Sequence, residues 1–222
     1  MKAKILILVM LSVLIVSIAA CSRTGKVYEN QCSAINGTEE KEECYIQLAK
    51  ESSDESFCNY ISNKRTVNFC YSELGGVKGD LNVCEKIKDD SFWWNVCYKN
   101  VAEKTLDVHP CYQLEALSDK DDCIKNVAIG LNDYIMCDDI SFSGDEPNCI
   151  LNISINLKNS TICEFQREKT NKDICYKKFA VAADDIDVCS NIKLKDLRQS
   201  CINKVSAAIN PAQDSNEPEI LN

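Results

Sequence analysis

Fourteen cysteines divide this chain at regular intervals. After Cys21 they stand at Cys32, Cys44, Cys58, Cys70, Cys84, Cys97, Cys111, Cys123, Cys137, Cys149, Cys163, Cys175, Cys189 and Cys201. The gaps alternate between 12 and 14 residues, with a single 13 between Cys84 and Cys97. This is a 26-residue unit written seven times, with one residue added in the third copy. A fixed period of this size signals an array in which each copy is one supersecondary unit.

Aligned copies show what the unit is. The first cysteine is flanked by apolar residues one before (Phe57, Val83, Pro110, Met136, Ile162, Val188) and three after (Ile35, Ile61, Ile87, Leu114, Ile140, Ile192, with Gln166 as the exception). That spacing is one face of a short helix, predicted to run about eight residues. Four residues before the same cysteine stand Asp54, Asp80, Asp107, Asp133, Asn159 and Asp185, a column suited to accept from the free N–H groups of a helix start. One acid per repeat provides no clustered metal-ligand set.

The second cysteine is expected to open a second helix. Residues one, four and five places later form its buried stripe, for example Tyr45, Leu48 and Ala49, or Tyr176, Phe179 and Ala180. The small residue at the last position permits close approach of a neighbour. Polar stretches such as Asn36-Gly37-Thr38 and Ser143-Gly144-Asp145 read as the turn between the helices, where the extra residue of the third copy is absorbed.

Rise per residue bears on the pairing. The chain climbs ~6 Å beyond the first cysteine and returns about as far before the second, so both sulfurs lie at one level of an antiparallel hairpin. Between repeats the two paths differ by ~6 Å, which strains a bridge whose Cα atoms must lie within about 7 Å. The expected bridges are therefore 32–44, 58–70, 84–97, 111–123, 137–149, 163–175 and 189–201. Bridges between adjacent repeats (44–58 and so on) are the alternative. Closing a loop of about a dozen residues stabilises each hairpin by roughly 3 kcal/mol in the chain-entropy model. Helices this short need such help.

Fifteen cysteines among 222 residues with one histidine, His109, suit an oxidising compartment. The N-terminus agrees. Lys2 and Lys4 precede an apolar run from Ile5 to Ala20, too short for a membrane span and suited to a secretory signal peptide over residues 1–20. Ile18-Ala19-Ala20-Cys21 resembles the lipobox of prokaryotic lipoproteins. The resemblance implies cleavage before Cys21 and a lipid on that residue, which attaches the protein to the membrane on its extracytoplasmic side. Ordinary cleavage after Ala20, or an uncleaved anchor, is the alternative. Residues 21–27 then read as a lipidated tether, 28–209 as the array and 210–222 as a disordered tail. Loss of Lys2 and Lys4 takes the formal net charge from −9 to −11, which argues against nucleic acid as a partner.

The fold class expected is all-α: a right-handed α-solenoid of seven stapled αα-hairpins. In plan it resembles the Sel1-like and tetratricopeptide solenoids, especially secreted versions whose helix pairs carry a disulfide. It also looks like cysteine-rich envelope proteins of some archaea and bacteria. Neither resemblance rests on a shared motif, so no functional residue is carried over.

No catalytic constellation, cofactor motif or metal site is legible, and no CxxC, CxxCH or phosphate-cradling glycine motif occurs. The sequons at Asn36, Asn152 and Asn159 are no more than chance provides. The one anomaly is Phe92-Trp93-Trp94 in the third repeat, which holds both tryptophans of the chain. Trp94 occupies a column filled elsewhere mostly by charge (Lys41, Lys120, Glu146, Lys172, Arg198, with Val67) and expected to be wet. These aromatics are the candidate contact with a protein, peptide or glycan partner; rings folded inward against a neighbouring repeat are the structural alternative. At the level of the whole chain the rivals are a binding module and an envelope spacer.

Overall fold

The computed structural model describes residues 32–141 and 145–209. The signal peptide, Cys21, the tether, the tail and the Ser143-Gly144 turn lie outside the described residues. Seven long helices dominate: α1 (Thr38–Ser52), α2 (Lys64–Lys78), α3 (Ser91–Thr105), α4 (Leu117–Leu131), α5 (Asp145–Asn156), α6 (Lys169–Ala183) and α7 (Lys195–Ile209). Each is one arm of a disulfide-closed hairpin, and no strand occurs among the described residues. The seven bridges join Cys32–Cys44, Cys58–Cys70, Cys84–Cys97, Cys111–Cys123, Cys137–Cys149, Cys163–Cys175 and Cys189–Cys201, with Cα atoms 5.5–5.9 Å apart. The chain is an all-α repeat array. It divides into two compact units between Val101 and Ala102, near the end of α3.

Two expectations are corrected. The second cysteine does not open its helix: α1, α2, α3, α4, α6 and α7 each begin six residues before it. Of the residues read as a turn, Asn36 and Gly37 precede α1 while Thr38 and Asp145 already belong to the long helices, and the loop between the two arms is three residues long, as at 61–63, 114–116, 166–168 and 192–194. In the third hairpin the loop, Lys88-Asp89-Asp90, has the same length, and the first arm takes up the added residue: it reaches Ile87, three residues after its cysteine, where Tyr60, Gln113, Phe165 and Asn191 end theirs two after it.

The first arm also differs from the eight-residue helix expected. It is a short 3-10 segment in most repeats, such as Glu55–Tyr60, Ser160–Phe165 and Ile186–Asn191, and a four-residue α-turn running into 3-10 at Leu81–Ile87. The available chain is too short for α-geometry. It is bounded upstream by the capping acid and downstream by the buried residue three after the cysteine, whose N–H already bonds the cysteine carbonyl (Ile61 to Cys58, Ile192 to Cys189). The tighter i→i+3 bond makes two turns from five or six residues.

The capping column closes two elements at once. Each long helix from α1 to α6 ends one residue earlier in the left-handed region, at Ser53, Gly79, Leu106, Asn132, Lys158 and Asp184, with φ between 51° and 63°. The capping residue then donates its N–H back to the small residue of the preceding helix: Asp54 to Ala49, Asp107 to Ala102, Asn159 to Ser154, Asp185 to Ala180. This is a Schellman ending. The same side chain accepts from the N–H two residues on, at 2.9–3.1 Å in all six cases, and so starts the next arm.

The core is the set of columns facing inward. Leu48, Leu74, Val101, Val127, Ile153, Phe179 and Val205 are all buried. A Cβ built on Gly75 would lie 2.4 Å from Cys97 Sγ and 3.1 Å from Cys84 Sγ. In that repeat the small residue is small because the next hairpin's disulfide rests on it.

A further buried column joins consecutive hairpins within each unit. Two residues before the second cysteine stand Glu42, Asn68, Asp121 and Asp173, all nearly inaccessible to solvent. In the first unit Glu42 accepts from the N–H groups of Ser62 and Asn63, and Asn68 donates to Asp90. In the second, Asp121 accepts from Ser141, and Asp173 accepts from Lys193 and Leu194 at 2.9 Å each. Where Pro147 interrupts the column, the preceding Glu146 replaces it and accepts from Arg167. Each carboxylate or amide reaches the loop of the following hairpin and fixes the residues that lead into its long helix.

Candidate functional site: the aromatic cluster of the third hairpin

The three aromatics open α3, and Asp90 sets that opening. Its carbonyl accepts from Trp94 N–H, one carboxylate oxygen accepts from Trp93 N–H, and the other is held by Asn68 of the preceding hairpin. The start of α3 is thus both capped and anchored to the preceding hairpin. Successive helical residues point about 100° apart, so the three rings take three different surroundings.

Phe92 faces solvent, with 60% of its surface exposed. Its ring meets Trp93 edge-on, centroids 4.8 Å apart. Trp93 is half-buried and packs against Phe69 of α2 at 5.3 Å. Phe69, Phe92 and Trp93 therefore form one continuous aromatic patch across the second and third hairpins.

Trp94 lies elsewhere. It is half-buried, its ring tilts onto Tyr98 with centroids 4.0 Å apart, and its indole N–H points at Glu85 from 3.5 Å, a long contact. Tyr98 makes the strong bond to that carboxylate, at 2.8 Å. Burial, followed by this hydrogen bond, pushes the Tyr98 phenol up to about 12. The column that Trp94 occupies is not wet, as its charged members suggested: they are half-buried throughout, and Glu146 is buried. Long side chains there lay their stems along the hairpin and keep only their heads in water.

The Tyr98–Glu85 pair is one of a set that the sequence reading missed. A tyrosine one residue after the second cysteine donates to the residue one after the first: Tyr71 to Asn59 and Tyr176 to Glu164. The bond lies beside the disulfide and locks the hairpin a second time. It holds Glu164 below the usual carboxylate range, with Lys172 adding to the effect, while burial and the same bond raise the Tyr176 phenol.

His109 is exposed and its Nδ1 sits 2.6 Å from Asp107, the capping acid of its own turn. Asn159 is likewise engaged as a cap, by Thr161 N–H and hydroxyl. All fourteen cysteines from Cys32 to Cys201 are in bridges, and no group of three or more potential metal ligands gathers among the described residues. Comparison with family models, with curated proteins and with solved structures yields no match.

Proposed function

We propose that the protein is a lipid-anchored, extracytoplasmic binding module, held to the membrane through Cys21, whose aromatic patch at Phe69, Phe92 and Trp93 engages a protein, peptide or glycan. The observation that carries this reading is the exposure of Phe92 on a helix start fixed by Asp90 and Asn68. A large exposed ring on a rigid support is the usual anchor of an interface. The compartment has separate support. Seven disulfides belong to a chain that folds in an oxidising environment, and no helix among the described residues is long and apolar enough to cross a membrane.

The test is site-specific photo-crosslinking in intact envelopes, with the crosslinker at position 92 and, as control, at the exposed Gln47. A discrete adduct from position 92 alone supports the binding module. Identical, diffuse labelling from both positions favours the spacer. Cys21→Ser, which removes the lipid attachment, shifts the protein out of the membrane fraction if the anchor is as described.

A further inference from the structure

The second unit carries a groove of opposite character to the rest of the chain. Two adjoining hollows of about 410 and 440 Å³ share Thr170 and Leu194 and run between α6 and the Cys189–Cys201 hairpin. Their floor is apolar: Ile174 and Leu194 are exposed, beside Leu197 and the ring of Tyr176. Their rim is basic, formed by Lys169, Lys172, Lys177, Lys193 and Lys195. Lys172 is paired with Glu164, and Lys177 donates to the Ser200 hydroxyl. The acids of the lining are Glu164, which also faces Lys193, Asp173, which is occupied by two backbone N–H groups, and Asp196, so the five lysines outnumber them.

The charge is segregated along the chain. Of 25 basic and 34 acidic side chains, ten and seven fall in residues 158–204, which leaves 15 against 27 elsewhere. Residues 158–204 thus carry +3, and residues 210–222, with Asp214, Glu217 and Glu219 and no basic residue, carry −3. That acidic stretch contains Glu219-Ile220-Leu221, two apolar side chains directly after a carboxylate.

We propose that this groove is the docking site of the chain's own segment 211–222. Asp214, Glu217 and Glu219 lie against the rim lysines, and Ile220 and Leu221 cover the apolar floor. The reach is sufficient. The segment leaves from Ile209 at the far end of α7, which is roughly 22 Å long, and ten extended residues span roughly 33 Å. An acidic partner in solution is repelled by the rest of this molecule, whereas a tethered segment meets the groove at millimolar effective concentration. The site is separate from the aromatic patch, and neither depends on the other.

The test uses the full oxidised chain and its variant Asp214→Asn/Glu217→Gln/Glu219→Gln. Amide resonances of Thr170, Ile174, Lys193 and Leu194 are expected to shift between the two. A segment docked about three-quarters of the time slows acylation of Lys169 and Lys193 about fourfold relative to the variant. Lys169→Glu/Lys193→Glu, at exposed positions, is expected to shift the tail amides in the same way the neutralised tail does. Superimposable spectra with equal lysine reactivity overturn the proposal. So does a perturbation that grows with protein concentration, because the segment then sits on a second copy.

Discussion

Asp173 gives the sharpest measure of what joins one hairpin to the next. Its carboxylate is 4% exposed and accepts from both Lys193 and Leu194 N–H at 2.9 Å, in the loop that leads into α7. A hydrogen bond to a charged group contributes about 1.5–3 kcal/mol, and an unsatisfied buried partner adds to the loss. Lys193 and Leu194 are themselves exposed, so water recovers part of it when the acid is removed. Asp173→Ala is therefore expected to cost about 2–3 kcal/mol, the upper part of the range for hydrogen bonds to a charged group.

Asp173→Asn retains one acceptor oxygen and is expected to cost about half as much, on the same reasoning. Glu42 provides a contrast. One oxygen, Oε1, accepts from both Ser62 and Asn63, at 3.2 and 3.1 Å. Glu42→Gln keeps that oxygen and loses only charge, so it is expected to cost less than Asp173→Asn. Urea unfolding of the oxidised proteins, followed by helical circular dichroism, reads all three as midpoint shifts at constant slope. If Asp173→Ala and Asp173→Asn both stay within about 0.5 kcal/mol of the parent, the value of an ordinary surface change, the clasp holds nothing and the reasoning fails.

Three further outcomes are expected. Gly75→Ala forces the 84–97 disulfide to move and is expected to destabilise by about 1–3 kcal/mol; Gly130→Ala meets only the tip of Leu106 and is expected to be neutral or stabilising by up to about 1 kcal/mol, and equal effects in thermal unfolding refute the difference. Gln166 is 2% exposed with Oε1 unpartnered, in a column that is otherwise Ile or Leu, so Gln166→Leu is expected to raise stability by about 1 kcal/mol despite loss of the bond to Pro147. Tyr98 and Tyr112 are each raised from 10.0 to about 12, the first by burial and the bond to Glu85, the second by its bond to Asp139 and burial. The fold favours the neutral phenol, so their contribution is intact below pH 10 and is lost as pH rises through 12; phenolate absorbance that completes its rise near pH 10 contradicts this.

The parts of this fold legible in the sequence are those that a single repeat determines by itself. Cys58 and Cys70 lie 12 residues apart because the end of a 3-10 arm, a three-residue loop and six residues of α2 fill that interval. Leu74 is buried because it lies one helical turn from Cys70. What escaped was contact between repeats. Glu42 and Asp173 look like two more acids on polar helix starts, and only the position of the neighbouring loop shows that they are buried. The same limit applies to the aromatics. Phe92, Trp93 and Trp94 are equivalent as a string, and Phe69 on one side and Tyr98 with Glu85 on the other decide which ring is left to solvent.

The repeat columns also bear on where function can reside. The cysteines staple each hairpin, the capping acids start its first arm, the small residues receive a neighbour or its disulfide, and the buried acids hold the loop of the following hairpin. A residue held by such internal contacts is not free to recognise anything else. Specific recognition must then come from departures from the pattern, and the structure gives two of them a physical form. In the third hairpin, which carries the added residue, Asp90 is held by Asn68 and Phe92 is presented to solvent. The excess of lysine after residue 158 lines a groove in an otherwise acidic chain. In an array this regular, an irregular residue that is also exposed and rigidly supported is the strongest local evidence of a contact surface.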